Sequence, residues 1–229
     1  MHFFNKKYDI LLLVMVMAKV KIPKYTLGEE ITNAITHGIG AILGIVALIL
    51  LLLKATTWVA VLSSCVYAFF TILLYVISCI YHALSPRLTG KKVLRVIDHC
   101  NVLLMLAGTY TPICLCLLTN PLNWIVFLIV WSITIVSVVF TAINLEKYAW
   151  MSIVSNLVLG WGSLLIIKTL IELCTLKGVI ILILGGVAYS LGAVLYLIGK
   201  KKKYMHSVFH VFVLIASIFH FLFIYWYCI

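Results

Sequence analysis

Charged residues are scarce in this sequence. Only 10% of its 229 residues are Asp, Glu, Lys or Arg, against roughly 25% in an ordinary soluble domain. Just six of them are acidic, whereas hydrophobic residues make up 65% of the chain. An ordinary soluble globular fold is therefore excluded, and the composition indicates a membrane protein.

Proline- and glycine-rich linkers, low-complexity tracts and internal repeats are also missing. Apolar runs of about 20 residues, the length of a membrane-spanning helix, follow one another with short polar interruptions. They predict spans at about residues 31–53, 58–82, 98–118, 122–143, 151–170, 178–198 and 206–228. We therefore expect an all-α membrane protein, a bundle of seven transmembrane helices over residues 29–229, after a cytoplasmic N-terminal segment of residues 1–28.

A short apolar run at residues 10–18 precedes these spans. It is too short to cross a bilayer, and Lys19 and Lys21 follow it at once. We expect either that translation starts at Met17 or that the run lies at the membrane interface, in preference to a cleaved signal peptide.

The 17 basic residues outnumber the acidic ones, which gives a net charge of +11. Alternating spans place fourteen of them on one side of the membrane, and only Lys54, Lys168 and Lys177 on the other. The positive-inside rule then predicts a cytoplasmic N-terminus and an outward C-terminus. This distribution explains the basic excess without nucleic-acid binding, and it allows contact with anionic lipid head groups.

Two familiar metal and redox motifs are absent. The seven cysteines form no CxxC pair, so we interpret them as small apolar packing residues in a reduced state. The HExxH motif of metalloproteases is absent because Ser207, not Glu, follows His206. A protease of that type is not expected.

Polar residues are present, but they cluster at one level of the predicted bundle. The second span ends with Ser78 and His82, the third begins with Asp98 and His99, and the seventh begins with His206 and His210. The first span opens with Glu30, Asn33 and His37, which share one helical face. All four groups of residues are predicted at the cytoplasmic ends of their helices. Polar residues that serve only packing would be expected at both ends.

His206 and His210 stand one helical turn apart, a spacing by which one helix can supply two ligands to one metal ion. His82 can supply a third, and three histidines with one water form the open coordination of a catalytic zinc site. Asp98 is then placed to orient or deprotonate the water, and Ser78 to hydrogen-bond a substrate carbonyl.

Simpler roles remain open for several of these residues. A histidine near a helix end is often interfacial, and we expect this of His99, whereas a hydrogen-bonded packing role is expected of His220. Glu30, Asn33 and His37 can serve as caps at the helix start, as supports for metal ligands or as cavity residues.

Four ordered motif blocks together resemble the hemolysin III family of the progestin and adipoQ receptor superfamily. They read EEITNAITHGIG, SCIYH, RVIDH with AGTYTP, and HSVFHVFVLIASIFHF, and the resemblance runs from about Glu29 to the C-terminus. It implies seven helices with the N-terminus inside and a zinc ion near the cytoplasmic face. By motif, the implied ligands are His82, His206 and His210, with Asp98 contacting the zinc-bound water and Ser78 beside it.

The resemblance also implies a function. One hypothesis is an intramembrane zinc-dependent hydrolase of lipid amides or esters, similar to ceramidases, with a membrane lipid or fatty acid as substrate or ligand. The alternative is a non-enzymatic protein of the bacterial plasma membrane that permeabilises membranes or maintains their properties, with structural zinc. A proton pathway is disfavoured because ionisable residues do not continue through the outer half. The sequence leaves the oligomeric state open.

Overall fold

The structure, a computed structural model, describes residues 20–199 and 202–229, and every secondary-structure element within those ranges is helical. The apolar run at residues 10–18 and the alternative start at Met17 lie outside the described residues. The helices are α1 (Leu27–Lys54), α2 (Trp58–Ala83), α3 (Thr89–Pro112), α4 (Leu122–Ile143), α5 (Leu145–Gly162), α6 (Ile167–Gly199) and α7 (Met205–Phe223). Short π-helical turns, Ile113–Leu117 and Ile224–Cys228, extend α3 and α7.

Six helical stretches of the described chain are long and apolar enough to cross a membrane, where the sequence predicts seven. The fifth, Leu145–Ile198, has 54 residues and contains both the fifth and the sixth predicted spans. A 3₁₀ turn, Ser163–Ile166, connects α5 to α6 without a break, because no proline occurs there to end the helix. The helical geometry is lost only at Thr175, whose φ is 63°, within the predicted gap between those two spans.

Polar side chains mark the helix starts. At α1, Thr26 and Glu29 form a capping box, in which the Thr26 N–H donates to Glu29 Oε2 at 2.8 Å. Thr57 caps α2, and Asn144 caps α5. Pro112 is the last residue of α3, directly before the π-helical turn.

The central helix is α3, which packs against α2, α4 and α5. Contacts between α1 and α2 and between α1 and α7 close the bundle, and α7 also packs along α6. A face of α1 that carries small residues lies against α2, where Gly40 meets the Tyr75 ring and Gly44 meets Ile72. This close approach brings the polar N-terminal turns of α1 next to the ends of α2 and α7.

The outer surface of the bundle is apolar. On α4, the side chains of Trp124, Leu128, Ile135 and Val139 are each at least half exposed, whereas the buried side of this helix includes Thr134, Ser137 and Thr141. An apolar exterior around a partly polar interior is the arrangement expected of helices surrounded by lipid.

Candidate metal centre and cavity

Three histidines meet between α2 and α7. His82 lies in the last turn of α2, and His206 and His210 lie in the first two turns of α7. One ring nitrogen of each histidine lies within 4.8 Å of those of the other two, and the Nε2 atoms of His206 and His210 are 3.1 Å apart. Such a cluster could bind a metal ion, as predicted from the sequence spacing.

His82 is oriented by a carboxylate. Its Nδ1 lies 2.6 Å from Glu30 Oε2, so the ring proton on Nδ1 is donated to that oxygen. Its Nε2 is buried and has no hydrogen-bond partner within the described part of the chain. A carboxylate on one nitrogen of a histidine commonly holds the other nitrogen toward a metal.

Glu30 itself is held by a buried lysine. Lys91 Nζ lies 2.6 Å from Glu30 Oε1 and 2.9 Å from the Leu84 carbonyl, and the lysine side chain is fully buried. Its ammonium also lies 5.0 Å from the centre of the Tyr81 ring. Since Lys91 belongs to α3, Glu30 to α1 and His82 to α2, this chain of contacts joins three helices behind the histidine cluster.

The other two predicted residues of α1 contact α7. Asn33 accepts a 2.6 Å hydrogen bond from Ser207 and places its amide nitrogen 3.4 Å from His82 Nδ1. His37 stacks on His210, with ring centres 3.7 Å apart. Both residues thus adjoin the histidine cluster without belonging to the group of three possible ligands.

Asp98 and Ser78 lie beside the cluster, in the wall of a cavity. Ser78 interacts with the Asp98 carboxyl group through its side chain, and both residues line the cavity together with His206 and His210. Asp98 is partly exposed by surface area although it is deep in the bundle, because the exposed part faces this cavity. The sequence-predicted polar residues therefore meet at one end of an internal space.

The cavity has a volume of about 200 Å³ and a mainly apolar wall. Its lining comes from α1, α2, α3, α5, α6 and α7, with Val102, Met105, Ile153, Trp161, Phe209 and Val213 among its apolar residues. A space of this size and polarity can hold part of a hydrocarbon chain.

The two histidines expected to lie apart from the metal site also line the cavity. His99 Nδ1 lies 2.9 Å from the Arg95 carbonyl, and its Nε2 lies 3.4 Å from the Tyr196 hydroxyl. His220 is buried at 6% exposure and stands in the cavity wall beside Tyr189.

Sequence reasoning missed Lys91, Tyr25 and Ser207. Lys91 is one of the fourteen basic residues that the sequence predicts on the cytoplasmic side. Lys91, Arg95 and Asp98 also share one helical face at spacings of four and three, which could have placed Lys91 near the site. Tyr25 stacks on His206 at 5.0 Å between ring centres. Nothing in the local sequence pattern distinguishes that tyrosine from other interfacial aromatics.

Comparison with known proteins gives consistent matches. The family model for Haemolysin-III related proteins matches residues 25–221. Hemolysin-3 of Bacillus cereus is 38% identical over 193 residues, which cover 82% of this chain and 87% of that protein. The Hemolysin-3 homolog of Bacillus subtilis (strain 168) is 35% identical over 208 residues, 90% of this chain and 97% of that protein. The Monocyte to macrophage differentiation factor of Homo sapiens is 23% identical over 175 residues, 73% of this chain and 68% of that protein.

Proposed function

Because the chain belongs to the haemolysin-III-related family, we propose that this membrane protein is a zinc-dependent hydrolase of lipid amides or esters. The family resemblance predicted from the motif blocks is confirmed, and the distant human match fits the progestin and adipoQ receptor superfamily. With its apolar helices, the chain is a multi-pass membrane protein of the bacterial plasma membrane, as predicted.

The histidine cluster carries the proposal, because its three buried histidines could hold one metal ion. Two nitrogens bound to tetrahedral zinc at about 2.0–2.1 Å lie about 3.3–3.4 Å apart, close to the 3.1 Å between Nε2 of His206 and of His210. The buried, unpartnered Nε2 of His82 supplies the third nitrogen. When bound, zinc polarises a carbonyl and lowers the pKa of water toward about 7.

Asp98 and Ser78 supply the remaining chemistry. In the proposed reaction, Asp98 accepts a proton from the attacking water and returns it to the leaving amine or alcohol. Ser78 donates its hydroxyl proton to this carboxylate and thereby orients it. The apolar cavity receives the acyl chain of a membrane lipid, and a free fatty acid is the expected product and ligand.

The proposed topology has seven crossings, with the N-terminus in the cytoplasm and the C-terminus outside. A straight helix of the 54 residues of Leu145–Ile198 would be about 81 Å long at 1.5 Å per residue, more than twice the hydrocarbon thickness of about 30 Å. Thr175 offers a place for the chain to reverse. With two crossings by this stretch, the histidine cluster would lie at the cytoplasmic side, where the sequence predicts fourteen of the 17 basic residues.

The test is release of fatty acid from ceramide and from ester lipids by purified, zinc-loaded protein. We expect turnover to be lost after chelation and restored by zinc. Asp98→Asn should keep the metal but lower turnover by about 10²- to 10⁴-fold, the usual contribution of a general base. If the zinc-loaded protein releases no fatty acid from either class of lipid, the proposal of a hydrolase is wrong.

A second candidate function is membrane permeabilisation, with zinc in a structural role, because the two Bacillus relatives carry the name hemolysin. Dye release from lipid vesicles distinguishes the two functions. If the protein permeabilises membranes directly, the Asp98→Asn variant should release as much dye as the wild type. If dye release results from lipid hydrolysis, it should be lost in this variant.

A further inference from the structure

A second group of polar side chains lies along the cavity from the histidine cluster. Tyr189 of α6 and His220 of α7 both line the cavity, and Met105 of α3 contacts the Tyr189 hydroxyl at 3.7 Å. Ser217 lies 2.9 Å from the Tyr189 hydroxyl and 2.7 Å from the Tyr75 hydroxyl. These residues are buried or nearly so in a cavity whose wall is otherwise mostly apolar.

The distance between this second group and the metal-binding end of the cavity follows from residue spacing along the helices. Met105 follows Asp98 by seven residues in α3, Ser217 follows His210 by seven in α7, and Tyr189 precedes Tyr196 by seven in α6. Seven residues of α-helix advance about 10 Å, and the ten residues from His210 to His220 advance about 15 Å. The second group thus lies about 10–15 Å from the metal-binding end, along the same cavity.

The hydroxyl protons of Ser217, Tyr75 and Tyr189 are all donated to partners within this second group. Ser217 donates to the Val213 carbonyl at 3.0 Å, so its oxygen accepts from the hydroxyls of Tyr75 and Tyr189. Each hydroxyl has a single proton to donate. The Tyr189 oxygen therefore has only acceptor capacity left for a molecule in the cavity.

The His220 ring offers a second hydrogen-bond acceptor. Its Nε2 edge packs against the backbone of α6 at Gly185. A neutral imidazole carries one ring proton, and a proton on Nε2 leaves Nδ1 as an acceptor. Nδ1 is buried and has no partner among the residues that the structure describes. A buried acceptor without a donor is costly, which favours a site that a ligand completes.

We propose that His220 and Tyr189 form a second polar subsite, which accepts a hydrogen bond from a hydroxyl group on a lipid chain whose carbonyl or carboxyl end lies at the histidine cluster. The subsite rests on the proposed function, because that function places an acyl chain in the cavity. It selects a hydroxylated chain over a plain one and over one carrying a carbonyl, since a carbonyl has no proton to donate. The preferred ligand class is a fatty acid, or its amide or ester, with a mid-chain hydroxyl.

The position of the hydroxyl follows from the separation of the two groups. An extended chain advances about 1.2 Å per bond, by analogy with the extended peptide backbone, so 10–15 Å corresponds to about eight to twelve bonds. Suitable probes are 12-hydroxyoctadecanoic acid, octadecanoic acid and the 2-hydroxy isomer, whose hydroxyl lies next to the carboxyl group.

The experiment measures equilibrium binding of these three acids to purified, zinc-loaded full-length protein in lipid nanodiscs, by displacement of a fluorescent fatty acid. We expect the 12-hydroxy acid to bind the wild type about three- to tenfold more tightly than octadecanoic acid, as one neutral hydrogen bond allows. The comparison is repeated in His220→Phe, Tyr189→Phe and Ser152→Ala. The last variant removes a hydroxyl from the α5 side of the cavity and serves as the control.

The preference should disappear in His220→Phe, fall in Tyr189→Phe and remain in Ser152→Ala. Because every variant is compared with the wild type for the same pair of acids, different partitioning of the acids into the nanodisc lipid cancels. If His220→Phe does not fold, His220→Leu replaces it. Equal binding of the two acids by the wild type, an equal gain for the 2-hydroxy isomer or an unchanged preference in the His220 variant would overturn the subsite. Binding preference without any lipid hydrolysis would refute the hydrolase and leave the subsite standing.

Discussion

At the scale of single residues, Glu30 has a central position. One of its carboxylate oxygens contacts His82 and the other contacts Lys91, each at 2.6 Å. Lys91 is fully buried, and a buried ammonium without a nearby anion would be strongly destabilising. The lysine therefore keeps Glu30 ionised and in place, and Glu30 in turn orients His82.

The metal itself can be tested on the α7 histidines. We expect about one zinc per chain by elemental analysis, and loss of zinc together with a lower thermal unfolding midpoint in His206→Ala or His210→Ala. The two losses should be linked because metal binding to the folded state alone stabilises it. His99→Ala is the matched control and should keep the metal. Full zinc occupancy in both α7 variants and in His82→Ala would mean that these histidines are not ligands.

Lys91 can be tested separately from the ligands. Lys91→Met should lower metal affinity by about 10- to 100-fold, as loss of a residue supporting a metal ligand commonly does, and should reduce stability because Glu30 loses its cationic partner. Lys92→Met, the adjacent and partly exposed lysine, is the control.

A double variant separates charge from packing at Lys91. Lys91→Met combined with Glu30→Gln should be more stable than Lys91→Met alone, since the uncompensated carboxylate is gone. The assigned role of Lys91 is contradicted if Lys91→Met and Lys92→Met bind zinc equally well.

At the scale of elements, the approach of α1 to α2 decides whether the site forms. Glu30, Asn33 and His37 all belong to α1, and they reach His82 and α7 because Gly40 lets the helix lie directly on the Tyr75 ring. Tyr75 also contacts the His37 ring edge-on at 5.1 Å between centres. The small residue thus positions several polar residues on the neighbouring turns.

Gly40→Ala should lower stability by about 1–3 kcal/mol, the usual cost of overpacking a buried contact. A Cβ at residue 40 would lie within 2.6 Å of Tyr75 Cε1. Thermal unfolding of the purified protein measures the change. Gly90→Ala is the control, because a Cβ there meets nothing within 4 Å, and alanine favours the helix. Equal unfolding midpoints of the two variants would show that α1 does not depend on this close contact.

At the scale of the whole molecule, the stretch Leu145–Ile198 determines the topology. It carries the α5 and α6 walls of the cavity, and the proposed two crossings by this stretch would enclose the cavity within the membrane. The exposed side chain of Leu176 lies beside the irregular Thr175, at the proposed outward turn.

Cysteine labelling in intact cells tests this arrangement. In a background without native cysteines, Leu176→Cys should react with an impermeant maleimide, and Lys202→Cys should react only after the cells are opened. Asn120→Cys and Arg87→Cys are the outward and inward controls, since both positions are exposed between helices. If Lys202→Cys is labelled in intact cells and Leu176→Cys is protected, Leu145–Ile198 crosses the membrane only once.

The sequence alone determined the class of protein, and it predicted which residues form the candidate site. Scarce charges and apolar runs require helices in lipid, because a lipid-exposed backbone must satisfy its own hydrogen bonds. The four-residue spacing of His206 and His210, and the shared level of His82, Ser78 and Asp98, follow from helical periodicity and alternating crossings. Both depend only on residue spacing and on the order of the spans along the chain, so they can be predicted without knowing how the helices pack.

Only the tertiary structure decided which side chains meet. Glu30 contacts residues 52 and 61 positions away in the sequence, and these contacts depend on how α1, α2 and α3 are rotated against one another. The same is true of His220, for which the sequence predicts a hydrogen-bonded packing role, and which lies in a cavity wall beside Tyr189. Helix rotation and close approach are set by many weak packing contacts between helices, and no single motif encodes them.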